Sequence, residues 1–157
     1  MSIKQIQNLI WRDKIDQALQ EIENLPDKDR IDGLIYKSDI LTIKREVDNA
    51  LSIVDEILLD NELSLNLLQK MGANVVKIQA LMRGGRFIEA FEKIDVCDEI
   101  LTQLNQNERE EVKEWESKLL AVKAGFQLLG GKLEESMESF HQSIALLTDI
   151  RYYRGYR

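Results

Sequence analysis

A segment of eleven residues recurs four times along the chain, and this repetition constrains the fold more than any other feature of the sequence. In each copy, apolar or small residues stand at offsets 0, 3, 4, 7 and 10, with mostly acidic and amide residues between them. That spacing puts the apolar residues on one face of a helix. The copies begin at Ile15, Val47, Phe87 and Leu133. The repeat therefore predicts four amphipathic helices of the same kind.

The residue at offset 3 is small in every copy. These four residues are Ala18, Ala50, Ala90 and Ser136, at intervals of 32, 40 and 46 residues. The distance between packed helices depends on the side chains at their contact, so a small residue lets a second helix approach closely. We therefore expect a helix–helix contact at each of these positions.

Each repeated segment follows another helical stretch, so the sequence predicts four helix hairpins. The first helices are expected at 2–11, about 29–44, about 62–83 and about 108–129. The turns are expected at Arg12-Asp13, Arg45-Glu46, Gly84-Gly85 and Gly130-Gly131. Glycine in two of the turns fits this prediction, because it readily adopts the left-handed conformation that ends a helix.

The hairpins divide a single repeat domain that covers residues 1–157. They are expected at about 2–25, 29–60, 62–104 and 108–148. Residues 151–157 carry a charge of +3, whereas residues 1–150 carry −10. We expect residues 150–157 either to begin a capping or further helix or to form a frayed basic tail.

Composition excludes several other classes of protein. One proline and eight glycines are too few for the turns of a many-stranded sheet. A net charge of −7 argues against a nucleic-acid-binding surface, which is rich in Lys and Arg. One cysteine cannot form an internal disulfide, and no run of eighteen apolar residues predicts a membrane span. We therefore expect a cytoplasmic protein with no nucleic-acid or membrane partner.

The segment Gly131–Ser143 carries the clearest resemblance to a known family. Its turn glycine, hydrophobic residue, small residue, aromatic residue and second small residue resemble the tetratricopeptide repeat (TPR), a helix-turn-helix unit. The segment Gly85–Cys97 is similar. The resemblance implies an all-α fold, a right-handed α-solenoid of about four antiparallel helix hairpins stacked as a TPR-like superhelix.

The chain departs from the family pattern in two respects. The family's small residue on the first helix falls on Ser38 and Ala124, but also on Ile6 and Ile78. Two of the three repeat intervals also exceed the family period of about 34 residues. These departures favour a divergent, elongated version of the repeat, and a helical-hairpin solenoid of another family is the alternative.

In the resembled family the first helices line a concave surface. The resemblance therefore implies a groove for an extended peptide or an amphipathic helix, lined by the inward positions of these helices. In the second to fourth hairpins these positions are Ile35, Asp39, Thr42, Val75, Gln79, Met82, Ala121, Gly125 and Leu128. The alternative is that Ile35, Val75 and Leu128 only pack adjacent helices together. Because none of the nine residues is basic, we expect no clamp for the C-terminal carboxylate of chaperones.

No set of residues in the sequence is typical of a catalytic or metal site. His141 stands alone off the apolar face, and Cys97 occupies a small-residue position where a buried thiol is expected. The run Gly125–Lys132 has Phe126 where a phosphate-binding loop requires Gly, and the next residue, Leu133, stands where the loop requires Ser or Thr. We therefore expect no enzymatic activity, no cofactor and no metal.

Three functions are compatible with such a chain. The favoured hypothesis is a non-catalytic protein–protein interaction scaffold that binds a peptide or helix in the groove. A second hypothesis is a ligand-sensing or regulatory domain of a longer protein, such as a transcription regulator. A third is a structural homo-oligomer in which exposed apolar stripes pair between copies.

Overall fold

A computed structural model describes the backbone of residues 2–60 and 64–153 and the side chains of residues 2–60 and 64–148. All regular structure in these ranges is helical, which confirms the predicted all-α fold. The helices are α1 (Ile3–Trp11), α2 (Ile15–Glu23), α3 (Arg30–Ile43), α4 (Val47–Leu59), α5 (Leu67–Arg83), α6 (Phe87–Gln103), α7 (Gln106–Glu111), α8 (Lys113–Leu129) and α9 (Leu133–Tyr153). A short 3₁₀ turn, Asp27–Asp29, precedes α3. None of the helices in the described ranges combines the length and the apolarity needed to cross a membrane.

The chain divides into two compact units, Met1–Ala90 and Phe91–Arg157. In the first unit α1 packs on α2 and α3 packs on α4. Successive pairs are joined there by contacts of α2 with α3 and of α4 with α5. In the second unit α9 packs along α8.

The four turns that follow α1, α3, α5 and α8 share one backbone geometry. Each contains one residue in the left-handed conformation: Asp13 (φ 58°), Arg45 (φ 65°), Gly85 (φ 75°) and Gly131 (φ 78°). The N–H of the next residue donates to the carbonyl five residues earlier, as from Lys14 to Leu9 (2.9 Å) and from Lys132 to Gln127 (2.9 Å). This is the Schellman arrangement, which pairs otherwise unsatisfied carbonyls at a helix end. The second turn therefore spans Lys44 and Arg45, one residue earlier than the expected Arg45-Glu46.

In each hairpin the small residue of the repeat and the residue twelve positions earlier on the preceding helix are both buried. The four pairs are Ile6 with Ala18, Ser38 with Ala50, Ile78 with Ala90, and Ala124 with Ser136, and all eight residues are buried. In α3 and α4 the Ser38 hydroxyl donates to the Ala50 carbonyl (2.7 Å). In α8 and α9 the bond runs the other way, from the Ser136 hydroxyl to the Ala124 carbonyl (2.8 Å). The expected close approach at these positions is thus confirmed for these two helix pairs.

Three helix boundaries differ from the expected ones. Helix α5 begins at Leu67, later than expected, because Asn66 and Gln69 form a reciprocal capping box. The first helix of the fourth pair is interrupted at Val112, and the Arg109 guanidinium of α7 spans the break by donating to Glu116 of α8 (2.9 Å). It also donates to Leu101 O of α6 (3.2 Å). Helix α9 continues through Tyr153, so residues 150–153 belong to it, while residues 154–157 lie outside the described residues.

Candidate interaction surfaces

Cys97 and His141, the candidates considered for catalysis, differ in their exposure. Cys97 is buried, and burial raises the pKa of its thiol to about 12, with the neighbouring Asp98 acting in the same direction and Lys123 opposing it. A thiol with such a pKa is protonated at neutral pH and is a poor nucleophile. His141 is exposed on α9. Among the described residues no group of three or more His, Cys, Asp or Glu side chains could hold a metal ion.

The nine residues expected to line a groove fall into three groups by exposure. Ile35, Asp39, Thr42 and Val75 are at most 2% exposed. Gln79, Met82, Ala121 and Gly125 are half-buried, and Leu128 is exposed. A peptide could reach the first group only if the helices moved apart, and burial gives Ile35 and Val75 the packing role that the sequence left open for them. The accessible members of the set lie on α5 and α8.

One accessible strip of this set lies on α8. Ala121, Gly125 and Leu128 follow one another at helical spacing on the same side of the helix. A Cβ atom at Gly125 would meet nothing within 4 Å, so this position borders open space. The strip therefore begins with two small residues, Ala121 and Gly125, and ends at an exposed leucine, Leu128.

The second unit also contains a small apolar pocket that the sequence did not indicate. Its walls come from α6 and from the C-terminal half of α8, and its volume is about 240 Å³. The lining residues are Phe91, Ile94, Lys123, Phe126, Gln127, Gly130 and Lys132. The rings of Phe91 and Phe126 meet edge to face, with centroids 5.3 Å apart and planes at 74°. This geometry is a favourable one for two aromatic rings and fixes one wall of the pocket, named here the Phe91–Phe126 pocket.

The polar rim of the Phe91–Phe126 pocket consists of side chains that are already paired within the unit. Lys123 donates to the Asp98 carboxylate, and the Lys132 ammonium lies 3.9 Å from Glu135. The Gln127 side-chain oxygen accepts from the Ser139 hydroxyl (2.8 Å). The rim thus has little net charge. The aromatic ring of Phe91 is apolar surface that this site leaves exposed to solvent.

Two cavities among the described residues of the first unit have charged side chains in their walls. One, of about 320 Å³, lies between α2 and α3 and includes the ion pair of Lys37 with Glu23 (2.9 Å). The other, of about 280 Å³, is bounded by α3 and α4 and includes Arg30, Glu56 and Asp60. Charges of both signs in these walls offer a less apolar environment than the Phe91–Phe126 pocket.

Sequence reasoning missed the pocket because it treated Phe91 as part of a buried stripe. Phe91 stands at offset 4 of its repeat, where Leu51 of the second repeat is buried, yet Phe91 is 59% exposed. Phe126 was considered only as a residue that breaks a phosphate-loop pattern. The available signal was the pair of aromatic residues near the ends of two helices, but spacing alone could not show that they meet.

Comparison with models of known protein families, with curated proteins and with solved structures finds no match for this chain.

Proposed function

We propose that this chain is a non-catalytic interaction module that binds a segment of another protein, one apolar side chain of which enters the Phe91–Phe126 pocket. The observation that carries the proposal is the exposed, apolar ring of Phe91 at the mouth of a largely apolar cavity. Aromatic residues of this kind act as anchors at protein interfaces, where a few side chains in a pocket supply most of the binding energy.

The size of the pocket favours a side chain over a free small molecule. Pockets for drug-sized ligands measure about 300–1,000 Å³, and this pocket is smaller. Helical spacing puts the strip of Ala121, Gly125 and Leu128 on the opposite side of α8 from the residues that line the pocket, so the strip is not part of this site. The pocket itself is largely apolar, which suits one side chain of an extended peptide or of the apolar face of a helix.

The proposal includes a TPR-like arrangement of the hairpins in a right-handed superhelix. It is supported by the same left-handed turn in all four hairpins, and by the twelve-residue interval between the hydrogen-bonded residues Ser38 and Ala50 and between Ala124 and Ser136. The contacts of α2 with α3 and of α4 with α5 add the stacking of one hairpin on the next that such an array requires.

The test begins with selection of binding peptides from a random-sequence display library, followed by affinity measurement with purified wild type. Replacing the exposed Phe91 by alanine removes the proposed anchor contact without opening a buried cavity. Phe91→Ala should weaken the selected peptides about tenfold or more, which corresponds to about 1.4 kcal/mol.

The matched control is Phe87→Ala, because Phe87 is a similarly exposed phenylalanine one turn earlier on α6 and does not line the pocket. We expect this change to leave the affinity within a factor of about two. Peptides that bind Phe91→Ala as tightly as the wild type would contradict the proposed site. Failure to select any peptide that competes for the pocket would contradict the function.

A further inference from the structure

The side-chain groups that remain available on the rim of the Phe91–Phe126 pocket are hydrogen-bond donors. The Gln127 oxygen already accepts from the Ser139 hydroxyl (2.8 Å), which leaves the Nε2 group of the same amide to donate. Among the described residues no carboxylate lines the pocket, and both of its charged lining residues are lysines. The open polar positions of the rim therefore suit acceptor groups on a partner.

The two lysines of the rim differ in how firmly they are held. Lys123 donates to the Asp98 carboxylate, and its side chain is only 26% exposed. The Lys132 ammonium lies 3.9 Å from Glu135, too far for a hydrogen bond, and these two side chains are 64% and 61% exposed. Ion pairs with such exposure contribute little free energy, so Lys132 can exchange Glu135 for a carboxylate of a partner at little cost. Lys132 is thus the cation that this rim offers.

The interior of the pocket favours an aromatic side chain over an aliphatic one. A closed apolar cavity of about 150 Å³ holds a benzene molecule, so the volume of about 240 Å³ has room for an aromatic ring. Phe91 already meets Phe126 edge to face and is still 59% exposed, so a third ring can add a contact of the same kind. An aromatic ring also attracts the Lys132 ammonium to its face, which an aliphatic side chain of equal size does not.

We propose that the partner segment places an aromatic side chain in the Phe91–Phe126 pocket and a carboxylate, from an Asp or Glu close to that residue in its sequence, on the Lys132 ammonium. The Gln127 amide then donates to a main-chain carbonyl of the segment. This inference rests on the proposed function of the pocket. The net charge of −7 opposes an acidic segment only weakly, because charges more than about 8 Å apart are largely screened at physiological salt.

The first test reads the sequences of the display-selected peptides that lose affinity for Phe91→Ala. These peptides should share an aromatic residue with an Asp or Glu close to it. Peptides that compete for the pocket with an aliphatic anchor, or without an acidic residue, would overturn this inference and leave the proposed function standing. The absence of any competing peptide would overturn both.

The second test separates the aromatic character of the anchor from its size. Cyclohexylalanine has nearly the shape of phenylalanine and is apolar, but it has no aromatic ring. Its substitution for the anchor of a selected peptide should weaken binding about threefold, because the ring–ring and ring–ammonium contacts are lost. Equal or tighter binding would show that size and apolarity alone are recognised, and would overturn the aromatic anchor.

The third test is a double-mutant cycle between Lys132 and the acidic residue of the peptide. Exchange of that residue for its amide should weaken binding to the wild type about threefold and leave binding to Lys132→Ala unchanged. Lys70→Ala is the control, since Lys70 is an exposed lysine on α5 that does not line the pocket, and it should respond as the wild type does. Glu135→Gln removes the competing carboxylate and should tighten binding of the acidic peptide about twofold. An equal loss in the wild type and in Lys132→Ala would overturn the proposed contact.

Discussion

At the scale of single residues, the four turns show that one backbone geometry is built from different side chains. Gly85 and Gly131 adopt positive φ at little cost, whereas Arg45 does so with a side chain that disfavours it. Asp13 is intermediate, because aspartate tolerates the left-handed conformation better than most residues. The turn at Arg45 is thus held by its hydrogen bonds against a conformational penalty.

This difference predicts opposite effects of glycine exchange at equivalent turn positions. Arg45→Gly should raise the free energy of unfolding by about 0.5–1 kcal/mol, because it removes a left-handed strain of about 1–2 kcal/mol at some cost in chain entropy. Gly131→Ala should lower it by about 1 kcal/mol, and only through its backbone, since a Cβ there would meet nothing within 4 Å. Urea unfolding followed by circular dichroism measures both changes.

The control lies in the same turn as Gly131. Gly130 has an ordinary φ of −81°, and a Cβ there would make only ordinary contacts, with backbone oxygens 3.5 and 3.6 Å away. Gly130→Ala should therefore leave stability unchanged or raise it slightly. Equal destabilisation by the two alanine changes would show that the positive φ of Gly131 is not the cause.

The residue scale also shows where sequence reasoning succeeds and where it fails. Glycine marked the turns at Gly85 and Gly131, and the small residue at offset 3 was correctly expected to be buried. The second turn was expected at Arg45-Glu46 but spans Lys44 and Arg45, because no residue type there signals a left-handed conformation. A sequence signals a left-handed turn only where it uses a residue type that favours this conformation, such as the glycines at positions 85 and 131.

At the scale of helices, the twelve-residue interval follows from the identical turns. A fixed turn sets the register of the two helices, so residues such as Ser38 and Ala50 always face each other. The sequence could therefore predict the contact inside a hairpin from one small residue. It could not predict which outer face is covered, because Leu51 and Met137 occupy equivalent positions and only Leu51 is buried.

The buried serine hydroxyls make a measurable contribution at this scale. Ser38→Ala should remove the bond to the Ala50 carbonyl and cost about 1 kcal/mol, partly offset by the higher helix propensity of alanine. Ser52 is an exposed serine on α4, so Ser52→Ala reports the propensity gain alone. Ser38→Ala should thus be less stable than Ser52→Ala by about 1 kcal/mol in urea unfolding. Indistinguishable stabilities would show that the hydrogen bond contributes nothing net.

At the scale of the molecule, the proposed site lies within one of the two compact units. All residues that line the Phe91–Phe126 pocket belong to the unit Phe91–Arg157. The hydrogen bond from Ser38 to the Ala50 carbonyl lies in the unit Met1–Ala90. The bond that joins α3 to α4 and the residues that line the pocket therefore have no residue in common.

This separation predicts that the packing of α3 on α4 and the binding of a peptide are independent. Mutations at separate sites without shared partners add to within about 0.3–0.5 kcal/mol, which is a factor of about two in affinity. Ser38→Ala should therefore leave the affinity of a selected peptide within that factor although it lowers stability, and Phe91→Ala should cost the same loss of affinity with or without it. Isothermal titration of peptide into both variants and their double variant measures the coupling, and urea unfolding of the same samples shows that each is folded. A tenfold loss of affinity in Ser38→Ala would show that the pocket depends on the first unit, and would contradict a site contained in the second.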